Sequence, residues 1–118
     1  MTICAHPDAE LTQLQLEELA GNLVVKRHEL AAKLEVLNQQ ITTKEDCSLT
    51  DAAETASLRE EVARASGIAD QHNETIAEID RALRRLEAGR YGVSELSGEP
   101  IPYERLVVIP WARTGLGD

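Results

Sequence analysis

The stretch LREEVARASGIADQHNETIAEIDRALRRL, residues 58–86, decides the fold. Within it Leu58, Val62, Ala65, Ala69, His72, Ile76, Ile79, Leu83 and Leu86 follow one another in alternating steps of four and three. Steps of that size return to the same side of a helix, so the run is an unbroken heptad seam with one narrow sticky stripe. Upstream, Leu16, Leu19, Leu23, Leu30, Leu34, Leu37 and Ile41 keep the same period, with a single gap near Lys26 and Arg27. Two striped helices in one chain bury their stripes against each other, antiparallel about a turn near residues 45–50. That register sets Ile41 against Leu58, Leu37 against Val62, Leu34 against Ala65, Leu30 against Ala69, Leu23 against Ile76 and Leu16 against Leu83, and it brings Arg27 near His72. A 35-residue arm then measures roughly 50 Å at about 1.5 Å of rise per residue.

Local signals bound these helices. Asp8 or Thr12 is a candidate cap for the first, and Ser48 or Thr50 for the second. Gly89 is a natural stop. Gly67 lies inside the second helix, off the seam, where a glycine costs about 1 kcal/mol relative to alanine. After Gly89 the run Arg90-Tyr91-Gly92-Val93-Ser94-Glu95-Leu96-Ser97-Gly98-Glu99-Pro100-Ile101-Pro102 is rich in turn formers, and Leu106-Val107-Val108-Ile109 reads as a short strand. Some 30 residues are too few to fold alone, so Leu96, Ile101, Leu106, Ile109 and Trp111 are expected to pack on the open end of the hairpin. The expected organisation is an N-terminal tail over 1–9, a hairpin over 10–88 with an acidic tip near 45–56, and a small module over 89–118.

Composition narrows the function classes. In 118 residues aromatic content is 3%, with no Phe and one Trp, so aliphatic side chains must build the core. The formal net charge of -9 argues against direct binding along a nucleic-acid backbone and favours a protein partner. Cys4 and Cys47 form no CxxC pair, no signal-peptide pattern precedes them, and no apolar run suggests a membrane span, which together point to the cytoplasm. Cys47 stands beside Asp46, and neighbouring acids lower a thiol's reactivity. No Ser/His/Asp, Cys/His or Gly-rich phosphate arrangement occurs at a workable spacing, so the chain reads as non-enzymatic.

Three groups of residues carry a family resemblance. Glu87-Ala88-Gly89-Arg90-Tyr91-Gly92-Val93, then Gly98-Glu99-Pro100-Ile101-Pro102, then Arg105-Leu106 and Pro110-Trp111-Ala112 resemble the C-terminal module of the DksA/TraR family of bacterial regulators that bind RNA polymerase. About 40 residues upstream of its first zinc cysteine that family carries a DxxDxA motif at a coiled-coil tip, and Asp51-Ala52-Ala53-Glu54-Thr55-Ala56 stands at that distance here. The resemblance covers nearly the whole chain and is weakest before residue 12. It implies a mainly α protein: a long antiparallel coiled-coil helical hairpin with a small C-terminal zinc-finger-like segment.

It also implies a mechanism, in which the coiled coil enters the polymerase secondary channel and tip acids approach the catalytic centre. The expected tip residues are Asp51, Glu54 and Ala56, with Glu54 keeping the charge of the family's second Asp at one methylene more reach. Residues 42–62 carry a net charge of -4, suited to a magnesium centre or to basic residues of a channel. At the base, Arg81, Arg84, Arg85 and Arg90 leave residues 79–90 at +2, a candidate dock for an acidic rim on the partner. The positions matching the family's basic ppGpp-binding residues hold Gln71, Glu74 and Glu78, and acids repel a polyphosphate, so no ppGpp binding is expected there.

The departure from the family is equally specific. Its zinc ligands form two CxxC pairs, whereas the matching positions hold Ser94, Ser97, Gly115 and Asp118. Structural zinc needs four thiolate or imidazole ligands as a rule, so no zinc and no other cofactor is expected, and the module is a degenerate zinc finger. Packing must replace a metal contribution on the order of 10 kcal/mol.

Each feature also has a plainer explanation. Acids in a helix first turn and arginines in a last turn offset the helix macrodipole without any partner. His72 beside Arg27 is first of all a polar layer that fixes register. The alternative function is a diverged structural or interaction coiled coil without polymerase regulation.

Overall fold

The computed structural model describes residues 4–7, 9–46 and 52–115, with no side-chain description for 44–46 and 52–55. Cys47, Ser48, Thr50 and Asp51 of the expected tip region, and the C-terminal Asp118, lie outside the described residues; Glu54 lies in a helix, its side chain undescribed.

The protein is mainly α, and its two long helices form the antiparallel hairpin that the two seams require. α1 spans Gln13–Asp46, α2 spans Ala52–Ala88 and a short α3 spans Tyr103–Val108. Every predicted seam residue is buried or half-buried, from Leu16 to Ile41 on α1 and from Leu58 to Leu86 on α2. Gly67 does not interrupt α2.

Of the two candidate caps for α1, Asp8 lies outside the described residues and Thr12 is used. The Gln15 N–H donates to Thr12 Oγ1 at 3.2 Å and the Thr12 N–H donates to Gln15 Oε1 at 3.0 Å. This reciprocal pair satisfies two amides that a helix start leaves without partners. At the other end, Gly89 adopts φ +72°, which lets the Arg90 N–H reach Arg85 O at 2.9 Å and the Gly89 N–H reach Leu86 O at 3.4 Å. Those two bonds are the Schellman closure of α2, and a left-handed residue is what they demand.

The chain divides into two compact units. Unit 1 comprises Met1–Arg27 and Ala77–Asp118, and unit 2 comprises His28–Ile76. The core of unit 2 is thin, with Leu30, Ala65 and Ala69 buried and Leu34, Leu37, Ile41, Leu58, Val62 and Ile76 half-buried. Alanines on the α2 stripe let the larger α1 leucines sit close, but they bury little area each. Unit 1 is richer: Leu16, Leu19, Leu23, Ile79, Ala82 and Leu86 are buried together with Tyr91, Val93, Ile101, Leu106 and Ala112 of the C-terminal module.

Three expectations are corrected. The segment Leu106–Ile109 is not a strand, because residues 103–108 form α3. Pro102 fixes the entry conformation, its carbonyl accepts from the Arg105 and Leu106 amides, and only Leu106 of the apolar run is buried, while Val108 is 75% exposed. Two-sided burial, which a strand of four apolar residues needs, is absent. Leu96 does not join the packing either; it is 74% exposed on a turn, and Tyr91 and Val93 fill the core instead.

The third correction concerns register. Arg27 does not meet His72; its Nε donates to Asp80 Oδ1 at 2.6 Å, eight residues further along α2. The contact shows a pairing displaced from the expected one, and a stripe that repeats along the helix does not by itself fix the register.

The N-terminal segment is part of unit 1. The Cys4 N–H donates to Leu86 O at 2.9 Å, the His6 N–H donates to Tyr91 O at 2.8 Å, and Ala5 bridges Tyr91. Gly92, at φ +99°, is where this segment presses closest: a Cβ there would stand 2.7 Å from Ala9 Cβ and 3.0 Å from Leu11 Cδ1. Only glycine fits.

Candidate functional site

The base of α2 and the turns after it bring most of the predicted base arginines to one place. Arg85 is the most buried of them, its side chain only 12% exposed. Its Nη2 donates to Val93 O at 2.6 Å and to Arg90 O at 3.3 Å, so the guanidinium ties the α2 terminus to the turn beyond it. Around it, Arg81 Nη1, Arg85 Nη1 and Arg113 Nη1 stand 3.9, 3.7 and 3.9 Å from the carboxylate oxygens of Glu95. Arg113 is held from the other side by Glu78 at 2.9 Å. Arg84 and Arg90 are exposed on the same stretch. Arg113 and Glu95 were missed from the sequence, because their roles depend on the turn 94–97 folding back onto α2.

That turn is where the matching zinc positions fall. Ser94 is buried, and its Oγ accepts the Leu96 N–H at 3.2 Å and the Ser97 N–H at 3.3 Å. Ser97 Oγ accepts the Glu99 N–H at 3.3 Å. The backbone closes the same loop, with the Ser94 N–H donating to Glu99 O and the Gly98 N–H to Ser94 O. The Ser94 hydroxyl oxygen therefore points its acceptor capacity at two amides. Hydroxyls committed in this way, with Gly115 offering no side chain, do not fit a tetrahedral zinc site. Among the described residues no group of three or more His, Cys, Asp or Glu side chains is placed to hold a metal ion.

The rest of the module is fastened by polar contacts. The Tyr91 hydroxyl donates to Pro110 O at 2.7 Å inside the core, and burial pushes this phenol well above its ordinary range while the Arg85 charge opposes the shift. Arg105 Nε donates to Thr114 O at 3.0 Å, and the Tyr103 hydroxyl donates to Glu18 of α1 at 3.0 Å.

Of the predicted tip, Ala56 is described and exposed on α2, Glu54 is placed in the first turn of α2, and Asp51 lies outside the described residues. Gln71 and Glu74 are exposed on α2; Glu78 serves Arg113. No helix among the described residues is long and apolar enough to cross a membrane.

No protein-family model matches the chain. Individual relatives do. The chain is 38% identical over 92 residues to the RNA polymerase-binding transcription factor DksA of Caulobacter vibrioides, covering 74% of this chain and 65% of that protein. It is 38% identical over 81 residues to the general stress protein 16O of Bacillus subtilis, covering 51% of this chain and 50% of that one. The chain thus spans from half to just under two thirds of these curated relatives. Among solved structures, transcription factor DksA2 of Pseudomonas aeruginosa superposes with a TM-score of 0.79 at 29% identity, over 88% of this chain and 79% of that one. In both sequence and fold, then, the chain is DksA-like, over 74% of its length against a curated DksA and 88% against a solved DksA2.

Proposed function

We propose that the chain is a bacterial, cytoplasmic transcription regulator that binds RNA polymerase through its secondary channel, its tip carboxylates Asp51 and Glu54 acting near the catalytic centre. The observation that carries this reading is the 38% identity to a DksA over 74% of the chain, together with the acidic motif at the junction of the two helices. Carboxylates at the end of a long hairpin reach an enclosed metal centre without the body of the protein entering, and in a water-poor channel their charge acts strongly. The role is regulatory and non-enzymatic, with no cofactor, no ppGpp at Gln71, Glu74 and Glu78, and no direct contact with nucleic acid required.

Purified protein is expected to change open-complex lifetime at sensitive promoters. Asp51→Asn with Glu54→Gln is expected to abolish that effect while co-sedimentation with polymerase survives. Unchanged regulation by the double variant would remove the tip from the mechanism. The alternative reading, a structural coiled coil that has lost polymerase, draws on the missing thiols, and absence of polymerase binding by the wild-type chain would select it.

A further inference from the structure

Arg81, Arg85 and Arg113 converge on one carboxylate, yet each stands 3.7 to 3.9 Å from the Glu95 oxygens, outside hydrogen-bond range. Two of the three guanidinium groups are engaged elsewhere. Arg85 is fixed by the carbonyls of Val93 and Arg90, and Arg113 by Glu78. Glu95 is itself anchored, because its N–H donates to Arg113 O at 2.8 Å. Its carboxylate is 39% exposed, so solvent reaches the contact. A loosely held, half-exposed acid beside two cations engaged elsewhere and a third that is exposed is weakly bound by its own neighbours.

The charge around it is unbalanced. Arg81, Arg84, Arg85, Arg90 and Arg113 outnumber Glu78, Asp80, Glu87 and Glu95 by one, and Asp80 is taken up by Arg27, in a chain whose net is -9. Beside the contact lies a concavity of about 310 Å³ walled by His6, Arg85, Arg90, Val93, Ser94 and Glu95. Arg85 and Glu95 belong to both the ion cluster and the concavity, so an incoming group reaches the arginines by the side that Glu95 lines.

We propose that the arginine cluster is an exchangeable seat for a carboxylate: Glu95 fills it in the free chain, and an acidic side chain of a partner polypeptide displaces Glu95 when the base of α2 docks. The seat is assigned to a polypeptide acid because its present occupant is one, a glutamate on a tight turn. Displacement costs little, since the three contacts given up are long, and it leaves the surplus positive charge neutralised. This deepens the base-docking reading above and rests on it for the partner's existence, but its chemistry is testable without polymerase.

The test is fluorescence anisotropy of a labelled short poly-glutamate peptide titrated with the full chain at low salt. Glu95→Gln, which keeps the shape and removes the competing charge, is expected to bind about tenfold tighter than wild type. Arg81→Ala with Arg113→Ala is expected to lose binding, and Arg113→Lys, which keeps charge and fold, to retain most of it. Equal affinity of wild type and Glu95→Gln, or binding that survives the double alanine variant, would overturn the proposal. So would inorganic phosphate displacing the peptide at equal concentration, because the seat would then be a phosphate site. If wild type co-sediments with polymerase and the peptide results are negative, the seat is wrong and the polymerase reading stands; the reverse pattern separates the two the other way.

Discussion

Burial keeps the Tyr91 phenol protonated well above its ordinary value of 10.0, and Arg85 opposes this only in part. A pKa raised by folding means that the native chain keeps a proton the unfolded chain has lost. The associated stability is therefore complete below about pH 10 and falls as pH rises beyond it. Tyr103, held up by its bond to Glu18, acts in the same direction at the surface. Tyr91→Phe is expected to lower stability by about 1 kcal/mol at neutral pH, through the lost bond to Pro110 O. It is also expected to flatten the alkaline decline, and urea melts on either side of pH 10 read both effects. Gly92 is the other decisive residue. Gly92→Ala combines a positive φ with a Cβ 2.7 Å from Ala9 Cβ, and is expected to cost about 2 kcal/mol or more, mainly by lifting the N-terminal segment off Tyr91. Accelerated amide exchange at Cys4 and His6 is the direct readout.

Among the elements, α1 depends on the capping of its first turn. It has no acid in that turn, so the Thr12–Gln15 pair is the main local stabiliser of its start. Thr12→Ala is expected to cost about 1 kcal/mol, measured by urea melting, with Thr12→Ser nearly neutral. α3 is the element that sequence misread. Four consecutive apolar residues suit a strand or one turn of a buried helix equally well, and what separates them is whether the flanking side chains find cover. Arg105, whose Nε donates to Thr114 O, and Pro102, offering its carbonyl to two amides, decide for the helix, and of these only Thr114 is distant in sequence.

Across the whole molecule, the helices and their stripes were legible because heptad spacing is local information, and the Gly89 stop because a glycine after a periodic run has few other uses. The register was not, since a repeat of seven is satisfied by a slide of seven. The base arginines were legible as a group by charge, but their convergence on Glu95 was hidden in the fold of the turn that carries it. The missing thiols were plain; that the Ser94 oxygen would take over the turn's amides was not. The module is consequently expected to be indifferent to metal: thermal melts with chelator and with added zinc should superimpose, and a shift of the transition on either addition would contradict the hydrogen-bonded account of residues 94–99.

The Arg27–Asp80 contact has a further consequence. A uniform seam behaves like a vernier scale, on which adjacent notches fit almost equally well, and a chain relying on it alone would possess near-degenerate ground states. The Arg27–Asp80 pair favours one notch by a small margin, adding to the burial of Leu16, Leu19, Leu23, Ile79 and Leu86 in the same unit. Replacing Arg27 by alanine should leave helix content intact and lower the midpoint of a urea melt only slightly, and a large drop would make this pair the main lock on the notch.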